Sequence, residues 1–581
     1  MTNASWLDGD VDSGVRACLA EEFTSIHVVN FRGDVRKNNK DEGGNVFDVK
    51  SPSVITIFCR NPAFKGCRIY YHDFATGKTG KEKLLKLRAT KSVKDIPSND
   101  WTLVEPDDRY DWIAKQEKGF KNLIALGSDD VRSGKTKNTV FYSYRRGYET
   151  ARDAYLYNFS HKACEQNAQL MIKDYQIALQ ELGDSPTIND VRIAASRHAN
   201  NRKWNNSLQD KLRRRIDIEF CSDYVTQVHY RPFQKQYCYA DDKLVHRPAI
   251  RNLMFPVNTS LTPPHRFENR AICIQGTGQI RQPFSVLMTD RMPDLELISK
   301  SQIFPRWRYP IGSSAPTGSA KFENPTLFSS RIDYPTSTSS NSDNVSRDGG
   351  SAAAGGVFDD GTLLSNLPGN SDSDGLQRID NITDHALRRF QNHYKDDSIT
   401  KDAIFDYVYG VLYAPDFRET FPIALSRNLP RVPMATDFWT FAEAGQELAG
   451  LHLNYETGPE YPLHLDFSGA GEPTPDHYRF SDTPMRFAGK KGNQDRSVLQ
   501  VTRFIRLSGI PDAAHDYVVN GRTPLEWFID RYRITVDKKS GIRNDPNDWF
   551  KDPGDIVPAI RRIVHVSVET TRIVRGLPAT R

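Results

Sequence analysis

The hydrophobic pattern is densest between Asn381 and Pro433. Ala386, Leu387 and Phe390 follow Thr383 at helical spacing, and Ile404, Phe405, Val408 and Leu412 follow Ser398 in the same way. Thr and Ser side chains accept from the free amides of a first helical turn, so each is placed to cap a helix, and Pro415 ends the second. Similar periodicity predicts a short helix over 11–22, a long one over His161–Leu182 and another opened by Ser185-Pro186-Thr187. Further helices are expected at Asp437–Ala449, from Thr523-Pro524 with Trp527 and Tyr532, and at Ile556–Ile573. Apolar runs of strand length stand at Ile26–Asn30, Ser53–Cys59 and, after a turn at Asn61-Pro62, Cys67–Tyr71. Tyr230–Phe233 and Tyr237–Tyr239 read as strand and turn, Arg486–Lys491 as a small basic turn and Val498–Leu507 as a strand. The opening helix, strand and hairpin look like the last third of a doubly wound sheet. The fold class expected is mixed α/β and α+β.

The periodicity breaks between Gly312 and about Ile379, where Ser, Gly, Asn and Asp dominate. So few large apolar residues cannot offset the entropy of ordering the chain, and a flexible insertion is expected over 312–379. Elsewhere a 581-residue chain is long enough for several domains, with 38% hydrophobic and 26% charged residues. No run of about 18 apolar residues exists, so no membrane span is expected. The opening MTNASWLDGD lacks a charged leader and apolar core, and a cytoplasmic location follows as an expectation. Seven scattered cysteines, none in a CxxC pair, read as reduced thiols.

The net charge of +5 permits nucleic-acid binding without demanding it, so the distribution of cations decides. Phe141-Tyr142-Ser143-Tyr144-Arg145-Arg146-Gly147-Tyr148, followed by Arg152, interleaves Arg with aromatics and a Gly, as phosphate or groove contact requires. Arg152 equally suits pairing with Asp153. Between Asp190 and Glu219 stand 8 Arg and Lys against 4 Asp and Glu, including Arg202, Lys203, Arg213 and Arg214. Such a face can neutralise phosphates or simply be solvated. Arg32, Arg36, Lys37 and Lys40 form a basic loop with the same two readings, and Arg231 is either framework or a base reader. Gly134-Lys135-Thr136 fails the spacing of a phosphate-binding loop, with six residues between Gly127 and Gly134 where four are needed. Ile274-Gln275-Gly276-Thr277-Gly278 is a weak nucleotide signal on its own. Glu526, Asp530, Asp545 and Asp548 could ligate a metal, but a capping or surface role is the simpler reading.

Longer ordered stretches say more. Ile404-Phe405-Asp406-Tyr407-Val408-Tyr409-Gly410, Phe417-Arg418, Leu429-Pro430-Arg431-Val432-Pro433, Leu451-His452-Leu453 and Tyr517-Val518-Val519-Asn520-Gly521 resemble the C-terminal specificity domain of type ISP restriction-modification enzymes. Tyr157-Asn158-Phe159-Ser160, Tyr230-Arg231-Pro232-Phe233 and Ser301-Gln302-Ile303-Phe304-Pro305 fit the same family, and the resemblance spans the chain except the insertion. It implies that residues 1–100 are the tail of a gamma-class adenine-N6 DNA methyltransferase domain, with its partial doubly wound sheet. It further implies a mixed target-recognition domain in two parts, 101–311 and 380–581. By this resemblance Phe47 would contact the adenine flipped from the duplex, although an ordinary aromatic closing a strand edge reads as well. The resemblance also implies S-adenosylmethionine for the complete enzyme. The cofactor turn and Asn-Pro-Pro-Tyr-like loop are missing from this sequence, where the nearest match is Thr262-Pro263-Pro264-His265. This chain alone is therefore expected to bind no cofactor and to recognise double-stranded DNA. The methyltransferase N-terminal half, motor and nuclease would lie on other polypeptide, including a possible separate chain. Two alternatives stand beside this: one subunit of a split adenine methyltransferase, or an inactive remnant with an exposed apolar sheet edge near Ile26–Asn30.

Overall fold

The structure, a computed structural model, describes residues 2–9, 12–33, 43–128, 138–198, 204–246, 254–277, 282–309, 370–371, 377–490 and 492–581, less positions 48, 50, 75, 109, 114–116, 118, 259–264 and 267. The expected insertion therefore falls almost entirely outside the described residues.

The chain opens with a mixed five-stranded sheet. Strands β1 (Thr2–Asn3), β2 (Ser25–Asn30), β3 (Ser53–Cys59), β4 (Arg68–Asp73) and β5 (Thr102–Val104) lie in the order β1-β3-β2-β4-β5, with β2 and β4 parallel and the other pairs antiparallel. Alternating apolar residues bury Ile26, Val28, Val54 and Ile69 on one face, where Leu7 and Trp112 join them. Helix α1 (Ser13–Glu22) sends Arg16 into this layer, where its guanidinium pairs with Asp111 at 2.5 Å and bonds the Trp6 carbonyl. Ile26–Asn30 is thus not an edge: Val28 pairs with Thr56 on one side and Tyr71 on the other. The exposed apolar edge belongs to β3, because β1 covers only Val54 and Ser53. Helix α2 (Gly80–Ala89) follows β4, its first turn closed by a Thr79–Glu82 capping box.

After β6 (Ile124–Ala125) and β7 (Arg145–Arg146) come three helices, α3 (His161–Glu181), α4 (Ile188–His198) and α5 (Asn206–Arg213). Ser160 caps α3 through the Ala163 amide, and Cys164, Ala168, Met171, Ile172 and Tyr175 form its buried stripe. A hairpin of β8 (Val225–Arg231) and β9 (Gln234–Tyr239) turns through Phe233 at φ 56°. Strands β10 (Ala271–Ile274), β11 (Val286–Thr289) and β12 (Gln302–Pro305) build a four-stranded antiparallel sheet in the order β11-β10-β12-β7. The chain re-enters the described residues beside where it left, since Asp380 pairs with Trp307 and Ile379 with Arg308.

The helical pair expected from the hydrophobic pattern is α6 (Asp384–Tyr394) and α7 (Lys401–Tyr413). Thr383 caps α6 as expected, but Thr400 caps α7; Ser398 instead bonds the Asp396 carboxylate, whose turn precedes the helix. Pro415 both follows α7 and opens the next short helix as its first residue. Every residue from Ile404 to Tyr413 is buried, because α8 (Phe438–Leu453) crosses α7 where Gly410 and Gly445 meet. Strand β13 (Arg431–Val432) lies between them in sequence and pairs with β6.

Arg486–Lys490 is a strand, β14, rather than the expected basic turn, and the 498–507 run divides into the end of β15 (Asn493–Gln500) and β16 (Ile505–Ser508). The hairpin pairs basic Arg486 and Lys490 with β15, so backbone pairing overrides their loop-like composition. Helix α9 (Pro524–Arg531) and the long α10 (Ile556–Gly576) complete the core.

Candidate nucleic-acid interface

Two small sheets meet at a concave surface. Along β7, Arg146 pairs with Gln302 and Arg145 with Ile303, while Tyr144 just before it stacks on Phe304 at 5.1 Å. Gly147 ends the strand where an added Cβ would sit 2.7 Å from the Leu295 Cα, so only glycine allows this approach. Beside it, Arg431 of β13 pairs with Ala125 of β6, and the Leu126 amide donates to the Pro430 carbonyl at 3.1 Å. Between them lies a cavity of about 560 Å³ whose lining includes Lys121, Arg146, Arg427, Arg431, Gln302 and Asn428, with no carboxylate among the described residues.

The four cations are held differently. Arg431 donates to the Lys121 and Leu123 carbonyls, both at 3.0 Å, and burial lowers its pKa from the usual arginine value. Arg427 donates to the Asp8 carbonyl at 2.9 Å and so ties the cavity wall to the first sheet. Glu117 reinforces that junction by accepting from the Ile423 and Ala424 amides at the start of a short helix. Lys121 and Arg146 are exposed and without an ion pair or hydrogen-bond partner for their side chains among the described residues. A concavity with cations and no carboxylate favours an anionic ligand.

The sequence-predicted cations part company here. Arg146 lines the cavity, and Arg145, half-buried, turns its guanidinium to the Tyr144 carbonyl at 3.0 Å. Arg152 is buried: it donates to the Thr150 and Leu244 carbonyls and to Asn205 Oδ1, and burial pulls its pKa down to about 10. Its guanidinium joins three chain segments from inside and is not placed to meet DNA. Arg231 is likewise internal, paired with Asp294 at 2.7 Å and lying 3.8 Å over the Tyr230 ring. Arg32 pairs with Asp73, Arg213 with Asp210 on its own helix at 2.9 Å, and Arg214 follows α5 at its C-terminal end. Arg36, Lys37, Lys40, Arg202 and Lys203 lie outside the described residues, as does Gly134–Thr136.

Phe47 is 40% exposed on a loop, its amide donating to Asn45 Oδ1. Three of the four acidic residues are committed to framework contacts. Glu526 closes a capping box with Thr523 and pairs with Arg496, Asp530 pairs with Arg522 at 2.7 Å, and Asp545 caps a short turn at Asn547. Among the described residues no cluster of three His, Cys, Asp or Glu is placed to hold a metal. All seven cysteines are free thiols.

A methyl-donor cofactor needs a Gly-rich turn whose amides are open at a helix start. A turn of that kind does join β4 to α2 at Gly77–Gly80, but the chain fills it: Cβ atoms added at Gly43 and Gly80 would lie 2.2 Å from the Lys78 and Asn45 carbonyls. Glu82 takes the Thr79 amide at 2.7 Å, and Gly276 packs onto the Lys300 carbonyl. These residues do not fit S-adenosylmethionine.

Lys121, Arg427, Asn428 and Gln302 were not singled out from the sequence. They come from three segments each more than a hundred residues from the next, and no local spacing links them; the available signal was that Gln302 and Arg431 stand inside family-like motifs.

Among the described residues no helix is long and apolar enough to cross a membrane. No curated protein matches the chain. Among solved structures, a nuclease-deletion mutant of the type ISP restriction-modification enzyme LlaGI in complex with a DNA substrate mimic is similar at 25% identity and a TM-score of 0.74, over 100% of this chain and 46% of that one. The ATP-dependent type ISP enzyme LlaBIII bound to DNA aligns at 25% identity and a TM-score of 0.76, over 100% of this chain and 32% of its own. A DrdV–DNA complex shares the fold at 24% identity and a TM-score of 0.74, over 100% of this chain and 50% of that one. The chain thus spans half or less of the length of each. A model of the type ISP C-terminal specificity domain matches residues 139–558, and the chain belongs to that family.

Proposed function

We propose that this chain recognises the DNA target of a type ISP restriction-modification system in the cytoplasm. It would direct adenine-N6 methylation and restriction performed by polypeptide outside it, where S-adenosylmethionine would be bound. The observation that carries this reading is the cavity bounded by Lys121, Arg146, Arg427 and Arg431, free of lining carboxylates and built largely within the family match. Phosphate contact by such groups releases counterions, so affinity falls steeply with salt.

The test is duplex binding by the full chain across a salt series. Each lysine contact to a phosphate steepens the log–log salt dependence by about 0.9, so Lys121→Ala is expected to flatten it by about that amount. Absence of salt-dependent binding to any duplex, or a slope unmoved by Lys121→Ala, refutes this assignment.

A second reading, half of a split methyltransferase, is favoured by exposed Ile57, Phe58 and Phe64 near the open edge of β3. Methyl transfer to DNA on mixing with a polypeptide carrying the cofactor turn would support it, and none on mixing would remove it.

A further inference from the structure

Besides Lys121, the cavity holds two polar side chains with hydrogen-bonding capacity left over among the described residues. Gln302 and Arg146 are register partners on β12 and β7, so both project to the same face of the sheet, side by side. Arg146 has no partner among the described residues, and Gln302 Oε1 is buried without a hydrogen bond. Arg431 and Arg427 are spent on backbone carbonyls. What remains is a forked donor next to an amide with an unused acceptor.

That pairing identifies the ligand chemistry more narrowly than charge does. A phosphate is an acceptor and would satisfy Arg146 and the Gln302 Nε2 donors, but it leaves the amide oxygen, which turning the amide exchanges with Nε2, without the donor it needs. A base edge supplies both. Guanine presents two acceptors, N7 and O6, to an arginine fork, and adenine presents the N6 donor and N7 acceptor to a glutamine amide. Strands lie about 4.8 Å apart and stacked bases about 3.4 Å, a mismatch two long side chains can absorb.

We infer that Arg146 and Gln302 read two neighbouring base pairs of the target, a guanine and an adenine, while Lys121 contacts the backbone. This rests on the DNA-binding reading above and adds to it the residues that choose the sequence.

The test selects bound duplexes from a randomised pool with the full chain, at fixed salt. The unaltered chain should enrich a motif containing adjacent guanine and adenine. Arg146→Ala should relax the guanine position by about tenfold and Gln302→Ala the adenine position by a similar factor. Gln302→Glu replaces the amide with an acceptor-only group and should shift that position toward cytosine, whose N4 donates. If Gln302→Ala does not fold, Gln302→Glu and the surface change Arg146→Ala carry the comparison, with thermal melts verifying folding. A sequence preference that is unchanged in these variants overturns the inference and leaves target recognition standing, whereas salt-dependent binding with no preference overturns both. Absence of all duplex binding overturns both.

Discussion

The crossing of α7 and α8 offers a sharp test of the packing, because two glycines meet there backbone to backbone. A Cβ added at Gly410 would sit 2.1 Å from the Phe441 carbonyl oxygen, and one at Gly445 would sit 1.9 Å from that of Asp406. Ordinary contact begins at 3.4 Å, so either alanine must part the helices by more than 1 Å, since neither carbonyl can swing aside. Parting them loosens the Tyr407–Phe438 stack at 4.8 Å and the buried rows around Val408, Val411, Phe441 and Leu448. Backbone contacts this short put the overpacking cost at the upper end of its usual range, about 3 kcal/mol, against a gain of about 1 kcal/mol for replacing glycine inside a helix. Each of Gly410→Ala and Gly445→Ala should therefore lose about 2 kcal/mol net, and because one separation relieves both clashes, the double variant should lose clearly less than the sum. Thermal melting of the three variants, read as ordered drops in transition temperature, provides the assay. Unchanged or raised melting temperatures for both single variants would show that the helices do not meet backbone to backbone at these glycines. Strict additivity would show that the two clashes are relieved independently.

Two further outcomes follow from buried groups. His452, fully buried between the Tyr409 hydroxyl at 2.6 Å and Thr570 at 3.0 Å, has its pKa lowered by desolvation to about 3. Its neutral form therefore contributes stability that is present above the unfolded value near 6.5 and is lost as pH falls toward 3, about 1.4 kcal/mol for each unit. Melting of the unaltered chain should drop between pH 6 and pH 4 by visibly more than that of His452→Gln; parallel curves would count against it. Arg152→Met should cost about 3 kcal/mol, because it strips donors from the Thr150 and Leu244 carbonyls, yet leave the salt dependence of duplex binding unchanged. A flattened salt dependence in folded Arg152→Met would return that residue to the interface.

Much of the framework was legible from the sequence because helices announce themselves locally. The Thr383 cap, the stripe of α3 and the Thr523–Pro524 start depend on neighbours within a few residues. Ser398 misled because Thr400, two residues on, offers the same chemistry, and the turn at Asp396 claims the serine first. The basic strand β14 was illegible for a different reason: its pairing with β15 is a property of two segments, while its composition reads as loop. The same applies to Ile26–Asn30, whose interior position depends on β4 arriving in parallel from about forty residues away.

Arginine shows where such reading stops. Arg152, Arg231 and Arg306 stand beside aromatic or polar residues in sequence much as Arg146 does, yet all three are drawn inward into ion pairs or onto carbonyls, as Arg16 is. The guanidinium is weakly hydrated and carries five donors, so it is the cation most readily drawn into a framework, and a basic aromatic motif therefore describes a joint as well as it describes a DNA contact. Only the count of satisfied donors separates the two. By that measure the buried arginines consume much of the local carboxylate and carbonyl supply, Asp111, Asp294, Asp380 and Asp402 among it. What is left over at Lys121 and Arg146 is a local excess of positive charge that a net charge of +5, spread over 581 residues, could not have revealed.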